Sequence, residues 1–332
     1  MNIAFVSTAH LHVDMFLRGL RFLLGDKSAY AIWDDDRERG KFVADKEAAK
    51  FFPELDSMLQ DTSIDGFAIC SENKKLLPLL ERVLPMGKPV FCEKPLAVGL
   101  GDLHRLITVV DAYRAPVVSG YFQPYLGDLK AIRELVTSGE LGEIKSVRYA
   151  NTRPAVEKRW FDRQGAEWFV DPSLAGGGGF LDLGSHAVHA LCLIFGQITE
   201  VWAQIENRSG VYPAVDDFGE ARLKFESGLT ATIEAGWLQS GSLEGIEIIG
   251  SQKSVWKAPA GYRVGSRVDD GQEEPLNVVE DDPVRMDRLL AAIRGQLTQG
   301  ELKRDLKGCF DTVQVLHAAY RSSGEGNWVS VK

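Results

Sequence analysis

Over residues 1–120, short apolar runs alternate with longer stretches in which apolar residues recur at helical spacing. Ile3 to Val6 reads as a strand, and Val13, Phe16, Leu17, Leu20 and Leu24 then fall on one helical face. Ala29 to Trp33 reads as a second strand running into Asp34-Asp35-Asp36, with helical segments expected over Glu47–Phe52 and Glu54–Leu59. Ile64 to Cys70, Pro89 to Cys92 and Pro116 to Gly120 read as further strands, with helices over Lys74–Pro85 and Leu103–Tyr113 between them. Strand and helix in strict turn predict a parallel sheet covered by helices.

The texture changes after Tyr121. A helix over Leu126–Ser138 leads through Gly139-Glu140-Leu141-Gly142-Glu143-Ile144 into a strand over Lys145–Ala150. Ile198–Glu206, Phe218–Phe225, Thr230–Trp237 and Gly245–Gly250 then follow as strands with no helices between them, the pattern of a mostly antiparallel sheet with one open face. Met286–Arg294 and Leu306–Tyr320 read as helices and Trp328–Val331 as a last strand, while the acidic stretch Asp269–Asp282 reads as a surface loop or hairpin. The expected fold class is therefore an α/β N-terminal domain of the doubly wound Rossmann kind over residues 1–120, plus an α+β domain over 121–332 with a large, open, mostly antiparallel sheet. A C-terminal helix could pack back on the first domain.

Length and composition narrow the field. A chain of 332 residues exceeds one ordinary core, which agrees with two domains. A net charge of −9 argues against a nucleic-acid partner, which would call for basic patches. The first residues read as a strand rather than a secretory leader, no apolar stretch reads as a membrane span, and Cys70, Cys92, Cys192 and Cys309 are scattered in apolar contexts. Those features predict a cytoplasmic protein with reduced thiols and a small-molecule substrate.

The turn after the first strand is where a dinucleotide-binding protein carries Gly-x-Gly-x-x-Gly, so that backbone N–H groups can approach a diphosphate. Here it reads Ser7-Thr8-Ala9-His10-Leu11-His12, with every glycine position substituted. Asp34, 22 positions after His12, stands about where a carboxylate would accept from an adenosine ribose. The run Asp34 to Asp36 would repel a 2′-phosphate, so NAD is expected over NADP. His10-x-His12 could place two imidazoles on one side of a metal, but the sequence offers no third ligand nearby, and no metal is expected.

At Cys92-Glu93-Lys94-Pro95-Leu96, preceded by Gly87-Lys88-Pro89-Val90, the chain resembles the glucose–fructose oxidoreductase and inositol dehydrogenase-like family. Gly139 to Ile144 and the run from Gly176-Gly177-Gly178-Gly179 to Asp182-Leu183-Gly184-Ser185-His186 match it as well, so the resemblance spans nearly the whole chain. It departs at the glycine loop, at His189, where the family usually has Asp, and at Leu76 after the Ser71-Glu72-Asn73 turn. The resemblance implies a nicotinamide-dependent oxidoreductase of sugars or polyols that assembles as a homodimer or homotetramer. It also implies that Ser71, Asn73, Glu93 and Lys94 shape the cofactor site, and that Arg153, Arg159, Trp160 and Trp168 fall where the substrate pocket is built.

Asp182 and His186, four apart, would share a helical face, where the carboxylate could orient a substrate hydroxyl or the imidazole. His186 suits proton exchange at neutral pH, and the Lys94 ammonium can polarise a carbonyl oxygen or steady an alkoxide. The glycine run is expected to bring backbone close to ligand and nicotinamide. His189 is a candidate second polar contact to substrate. Two rival functions share the pattern. One is a glycoside-cleaving enzyme that uses NAD for transient oxidation, and the other a non-catalytic ligand sensor that kept the fold while its phosphate loop decayed.

Overall fold

The computed structural model describes residues 1–25, 29–122, 125–239, 244–266, 271–278 and 286–331. Contacts divide the chain into two compact units. The first comprises Met1–Tyr121, Phe161–Gly176 and Pro283–Phe310, and the second Phe122–Trp160, Gly177–Asp282 and Asp311–Lys332. Both units are thus assembled from separated stretches of sequence.

In the first unit, strands β1 (Asn2–Val6), β2 (Ala29–Trp33), β3 (Lys50–Phe51), β4 (Gly66–Ile69), β5 (Val90–Cys92) and β6 (Val117–Ser119) form a wholly parallel sheet in the order β3-β2-β1-β4-β5-β6. Helices α1 (Val13–Leu24), α2 (Arg37–Glu47), α3 (Leu55–Leu59), α4 (Asn73–Val83) and α5 (Leu100–Ala112) connect them. The apolar face read from sequence holds: Val13, Phe16, Leu17 and Leu20 of α1 are buried against Phe5, Ile32 and Phe91. Met286, Leu289 and Leu290 complete that core from a late segment of the chain.

One helix was misplaced. Helicity expected over Glu47–Phe52 lies instead over Arg37–Glu47, because the Asp36 side chain accepts from the Glu38 and Arg39 N–H groups and caps the start. Ala48 then turns left-handed (φ 50°), and Lys50–Phe51 pairs with β2 as an edge strand. The polar helix α2 has too weak an apolar stripe to be seen by periodicity, whereas its cap is visible in the sequence.

The second unit contains α6 (Gly127–Ser138), a nine-stranded mixed sheet and α8 (Ser185–Phe195), with α7 (Pro172–Ala175) belonging to the first unit. Its strands are β7 (Ile144–Thr152), β8 (Ile198–Glu206), β9 (Phe218–Phe225), β10 (Thr230–Gly236), β11 (Gly245–Gly250), β12 (Ser254–Ala258), β13 (Gly261–Gly265), β14 (Glu273–Pro275) and β15 (Val329–Ser330). They lie in the order β14-β13-β12-β11-β7-β10-β9-β8-β15, with β7–β10 the parallel pair. Val147, Leu223, Ile233, Ala235 and Ile248 turn inward and are buried. Between them, outward positions carry charge, as in the Arg148–Glu234 pair at 3.0 Å and the Lys224–Glu200 pair at 2.5 Å, so the open face is polar. Of the acidic stretch Asp269–Asp282, residues 269–270 and 279–282 lie outside the described residues, and 273–275 form β14.

The reading that no segment could span a membrane was too broad. Pro172–Phe195 is long and apolar enough by length and composition, but 72% of the window is buried in the protein, as a core helix would be. The four cysteines are free thiols, and burial pushes Cys70 and Cys92 well above the ordinary thiol range.

The glycine run has a structural cause other than the one expected. A Cβ on Gly178 would stand 1.9 Å from the Asp216 carbonyl oxygen, and one on Gly179 2.7 Å from that of Asp217. The glycines admit a neighbouring strand connection. Gly178→Ala should therefore cost about 3 kcal/mol or more, whereas Gly101→Ala in α5, where a Cβ meets nothing within 4 Å, should gain roughly 0.5–1 kcal/mol. Urea unfolding of the two variants checks both signs.

Candidate functional site

The loop after β1 carries none of the three glycines of a phosphate loop. Ser7 occupies the first glycine position and adopts φ 67°, the left-handed conformation that glycine normally supplies. Side chains take over the work of holding the turn. The Thr8 N–H and hydroxyl both donate to Asp34 Oδ2, at 2.7 and 2.6 Å, and the His10 N–H donates to the Cys70 carbonyl at 2.9 Å. Trp168, placed by sequence in the substrate pocket, is 5% exposed and donates its indole N–H to the Ala9 carbonyl at 3.1 Å. It braces the loop, and its ring stacks on Phe169.

A cleft of about 500 Å³ opens beside this loop, lined by Thr8, Ala9, His10 and Leu11 on one side and by Asp36, Arg39 and Phe42 on the other. A pocket of that size at the end of β1 and β2 suits part of a dinucleotide.

Asp34 sits at the expected strand end but not as an open ribose acceptor. It is 1% exposed, and its two oxygens already accept from five donors: Thr8 N, Thr8 Oγ1, Asp36 N, Arg39 Nε and Arg39 Nη2. A carboxylate offers about four lone-pair positions, so these are filled. Burial raises the Asp34 carboxyl's pKa, and Arg39 and Thr8 work against that rise. The charge expected to repel a 2′-phosphate is thus partly cancelled at Asp34 itself, leaving the more exposed Asp35 and Asp36. Around them, Glu72 lies 3.8 Å from Arg39 and 3.1 Å from Lys75, and Lys75 also binds Asp35 at 2.6 Å. Ser71 donates to Glu72, while Asn73 donates to the Ala175 carbonyl at 2.9 Å and so ties α4 to the segment at α7.

Glu93 follows β5 and has no solvent exposure. Its Oε2 accepts the Lys94 N–H at 2.9 Å, and its Oε1 lies 2.9 Å from His12 Nδ1 and 3.5 Å from His10 Nδ1. Burial alone would push this carboxyl up, but the charges of His10 and His12, the hydrogen bond from His12 and the Lys94 charge outweigh it and hold Glu93 well below the usual carboxylate range. The third group that sequence could not supply for His10-x-His12 is therefore Glu93, more than eighty positions away. Lys94 itself is 3% exposed.

In the second unit, Asp182 lies in a π-helical turn (Phe180–Gly184) that runs into α8, so the plain helical spacing assumed for Asp182 and His186 is interrupted. The Asp182 carboxylate accepts the Trp237 indole N–H at 2.9 Å. The turn is pinned by Asp216, which accepts from Gly178 N at 2.9 Å, Phe180 N at 2.7 Å and the Tyr320 hydroxyl at 2.8 Å. Tyr320 in turn accepts from Leu181 N at 3.1 Å. Asp216, Trp237 and Tyr320 were all missed, because nothing in their local sequence marks a contact across 36, 55 or 139 positions. His186 is 5% exposed, with its ring centroid 5.4 Å from that of Phe122 in an edge-on arrangement. His189 is buried deeper, and burial holds it down at about 3, so it stays neutral near physiological pH. Arg153 is half-buried, pairs with Glu244 and donates to the Thr152 carbonyl at 2.7 Å, whereas Trp160 opens a short 3₁₀ turn.

Residues 7–121 match the oxidoreductase family with an NAD-binding Rossmann fold, and residues 129–256 match the GFO/IDH/MocA C-terminal domain. This chain belongs to the GFO/IDH/MocA oxidoreductases. Within that family it is 27% identical to oxidoreductase ORF334 of Rhizobium meliloti over 91% of this chain and 90% of that protein. It is 26% identical to the inositol 2-dehydrogenase of Pseudomonas fluorescens, over 48% of each chain. In fold it is similar to an oxidoreductase from Desulfitobacterium hafniense, with a TM-score of 0.82 at 17% identity, covering 100% of this chain and 98% of the other. As a member of the family it is an NAD-binding oxidoreductase.

The depressed His189 gives a stability prediction. The unfolded imidazole takes up a proton below its ordinary value of 6.5 while the folded one does not until about 3, so stability falls as pH drops through that window. Between pH 7.5 and 5 the parent should lose ~2 kcal/mol more than His189→Gln. Urea midpoints measured at both pH values would refute this if the two proteins ran in parallel.

Proposed function

We propose that the protein transfers hydride between NAD and a secondary alcohol or ketone of a sugar, a polyol or a related hydroxy compound, with Lys94, Asp182 and His186 as the catalytic residues. The observation that carries this reading is the Asp182 carboxylate, held by the Trp237 indole on a turn whose backbone Asp216 and Tyr320 pin ahead of His186. A carboxylate held so firmly can orient a substrate hydroxyl without reorganising. His186 accepts the hydroxyl proton, and the Lys94 ammonium steadies charge on the substrate oxygen. The nicotinamide, when bound, supplies the hydride acceptor. The polyol class is favoured by the likeness to an inositol 2-dehydrogenase.

NAD is favoured over NADP on local charge. Asp34, Asp35, Asp36, Glu38 and Glu72 stand around the end of β2 against Arg39 and Lys75, a net acidic surround for a 2′-phosphate. The sensor reading draws on one observation: the loop's N–H groups are already engaged, Thr8 with Asp34, His10 with the Cys70 carbonyl and His12 with His10 Nδ1. The free thiols suit a reducing compartment such as the cytoplasm.

Two measurements test the proposal. Titration calorimetry should show NAD(H) binding more tightly than NADP(H), and binding of neither would favour the sensor. Lys94→Met and His186→Asn should each lower turnover of a confirmed polyol or sugar substrate by at least ~100-fold while NAD affinity changes little. Variants that melt normally and turn over within about threefold of the parent would place the chemistry on other residues.

A further inference from the structure

Two imidazoles of the loop after β1 and one carboxylate from the end of β5 converge within the first unit. The ligand atoms of His10, His12 and Glu93 all lie within 4.8 Å of one another. His12 Nδ1 and His10 Nδ1 face the same carboxylate oxygen, at 2.9 and 3.5 Å. Ligands bonded at 2.0–2.2 Å around a tetrahedral zinc ion stand roughly 3.4 Å apart, which the two imidazole–carboxylate separations bracket. We propose that His10, His12 and Glu93 bind a divalent transition metal of the zinc class.

The carboxylate is built for the role. Glu93 is fully buried, its Oε2 is held by the Lys94 N–H, and its Oε1 is left to face the histidines. Gly120 leaves room for it, since a Cβ there would lie 2.4 Å from Oε2. Oriented ligands of this kind are the usual support of a metal centre. Two imidazoles with one carboxylate select zinc or a similar imidazole-preferring ion over magnesium or calcium, which favour all-oxygen sets. The His12 side chain is 31% exposed, which leaves the ion an open side for water or an anionic ligand. The ion would add positive charge beside a loop whose Thr8 and His10 N–H groups are turned inward. That last consequence rests on the cofactor reading above, but metal binding itself does not.

The test uses the full-length protein without nucleotide. After stripping with a chelator, cobalt(II) should bind at one ion per chain with visible d–d absorption, and zinc should displace it. Zinc should also raise the melting temperature of the parent, as any ligand of the folded state does. His12→Gln, at the partly exposed position, should weaken zinc by at least ~10-fold and abolish the zinc-dependent thermal shift, and Glu93→Gln should do the same. A parent protein that gives neither the cobalt spectrum nor the zinc shift overturns the proposal, whatever the variants do. So does a folded His12→Gln that binds zinc as tightly as the parent. Because nucleotide is absent throughout, failure here leaves the NAD reading untouched, and failure to bind NAD leaves this site standing.

Discussion

A carboxylate without solvent exposure must be surrounded by donors or cations, and Glu93 organises its half of the protein around that demand. It draws the loop after β1 toward the end of β5 through His12 and His10, and it takes the first N–H of the segment that presents Lys94. It also requires Gly120, where any side chain would meet its Oε2. One buried charge thus joins β1, β5 and β6 at the edge where the parallel sheet offers its strand ends, the place where such sheets bind ligands. Removing it would leave two imidazoles and a lysine segment without their common anchor.

The second unit answers the same problem differently. There the anchor is Asp216, half-buried, with its pKa raised by burial against the pull of the Phe180 and Gly178 N–H groups and the Tyr320 hydroxyl. Its donors are mainly backbone groups of the turn that carries Asp182, so the cost of burial is offset by fixing that turn. The four-glycine run is the steric counterpart: Gly178 and Gly179 let the Asp216–Asp217 backbone approach closely enough for those bonds to form. Trp237 then fixes the carboxylate of Asp182 itself. Positioning passes from Asp216 to a backbone turn, and from Trp237 to the Asp182 carboxylate on it, each through hydrogen bonds below about 3 Å.

Much of the fold was legible because it rests on local periodicity. The buried strands and the apolar stripe of α1 are visible in any short window, and so are the caps once Asp36 is recognised. What escaped was long-range. Trp168 looked like a pocket aromatic because its partner, the Ala9 carbonyl, is 159 positions away. Glu93 was assigned to the cofactor site without its histidine partners, because pairing across 81 positions leaves no spacing to read. Strands β12 to β14 were overlooked because each is short and, in β14, fully exposed.

Asp34 shows why a residue can be placed correctly and its role misread. Sequence position put it at the end of β2, and it is there, yet Thr8 and Arg39 occupy its oxygens. In a loop with glycines the backbone turn holds itself, and the acid is left open for a ribose. Here Ser7 must adopt a left-handed conformation that costs a non-glycine residue on the order of 1 kcal/mol, and the Thr8–Asp34 pair is what holds the strained turn in place. The acid has been drawn inward to stabilise the loop. Of its neighbours, Asp35 and Asp36 remain exposed, and Asp36 and Arg39 line the cleft beside the loop. Loss of the glycines and redirection of Asp34 are therefore one change, seen at two positions of the same loop.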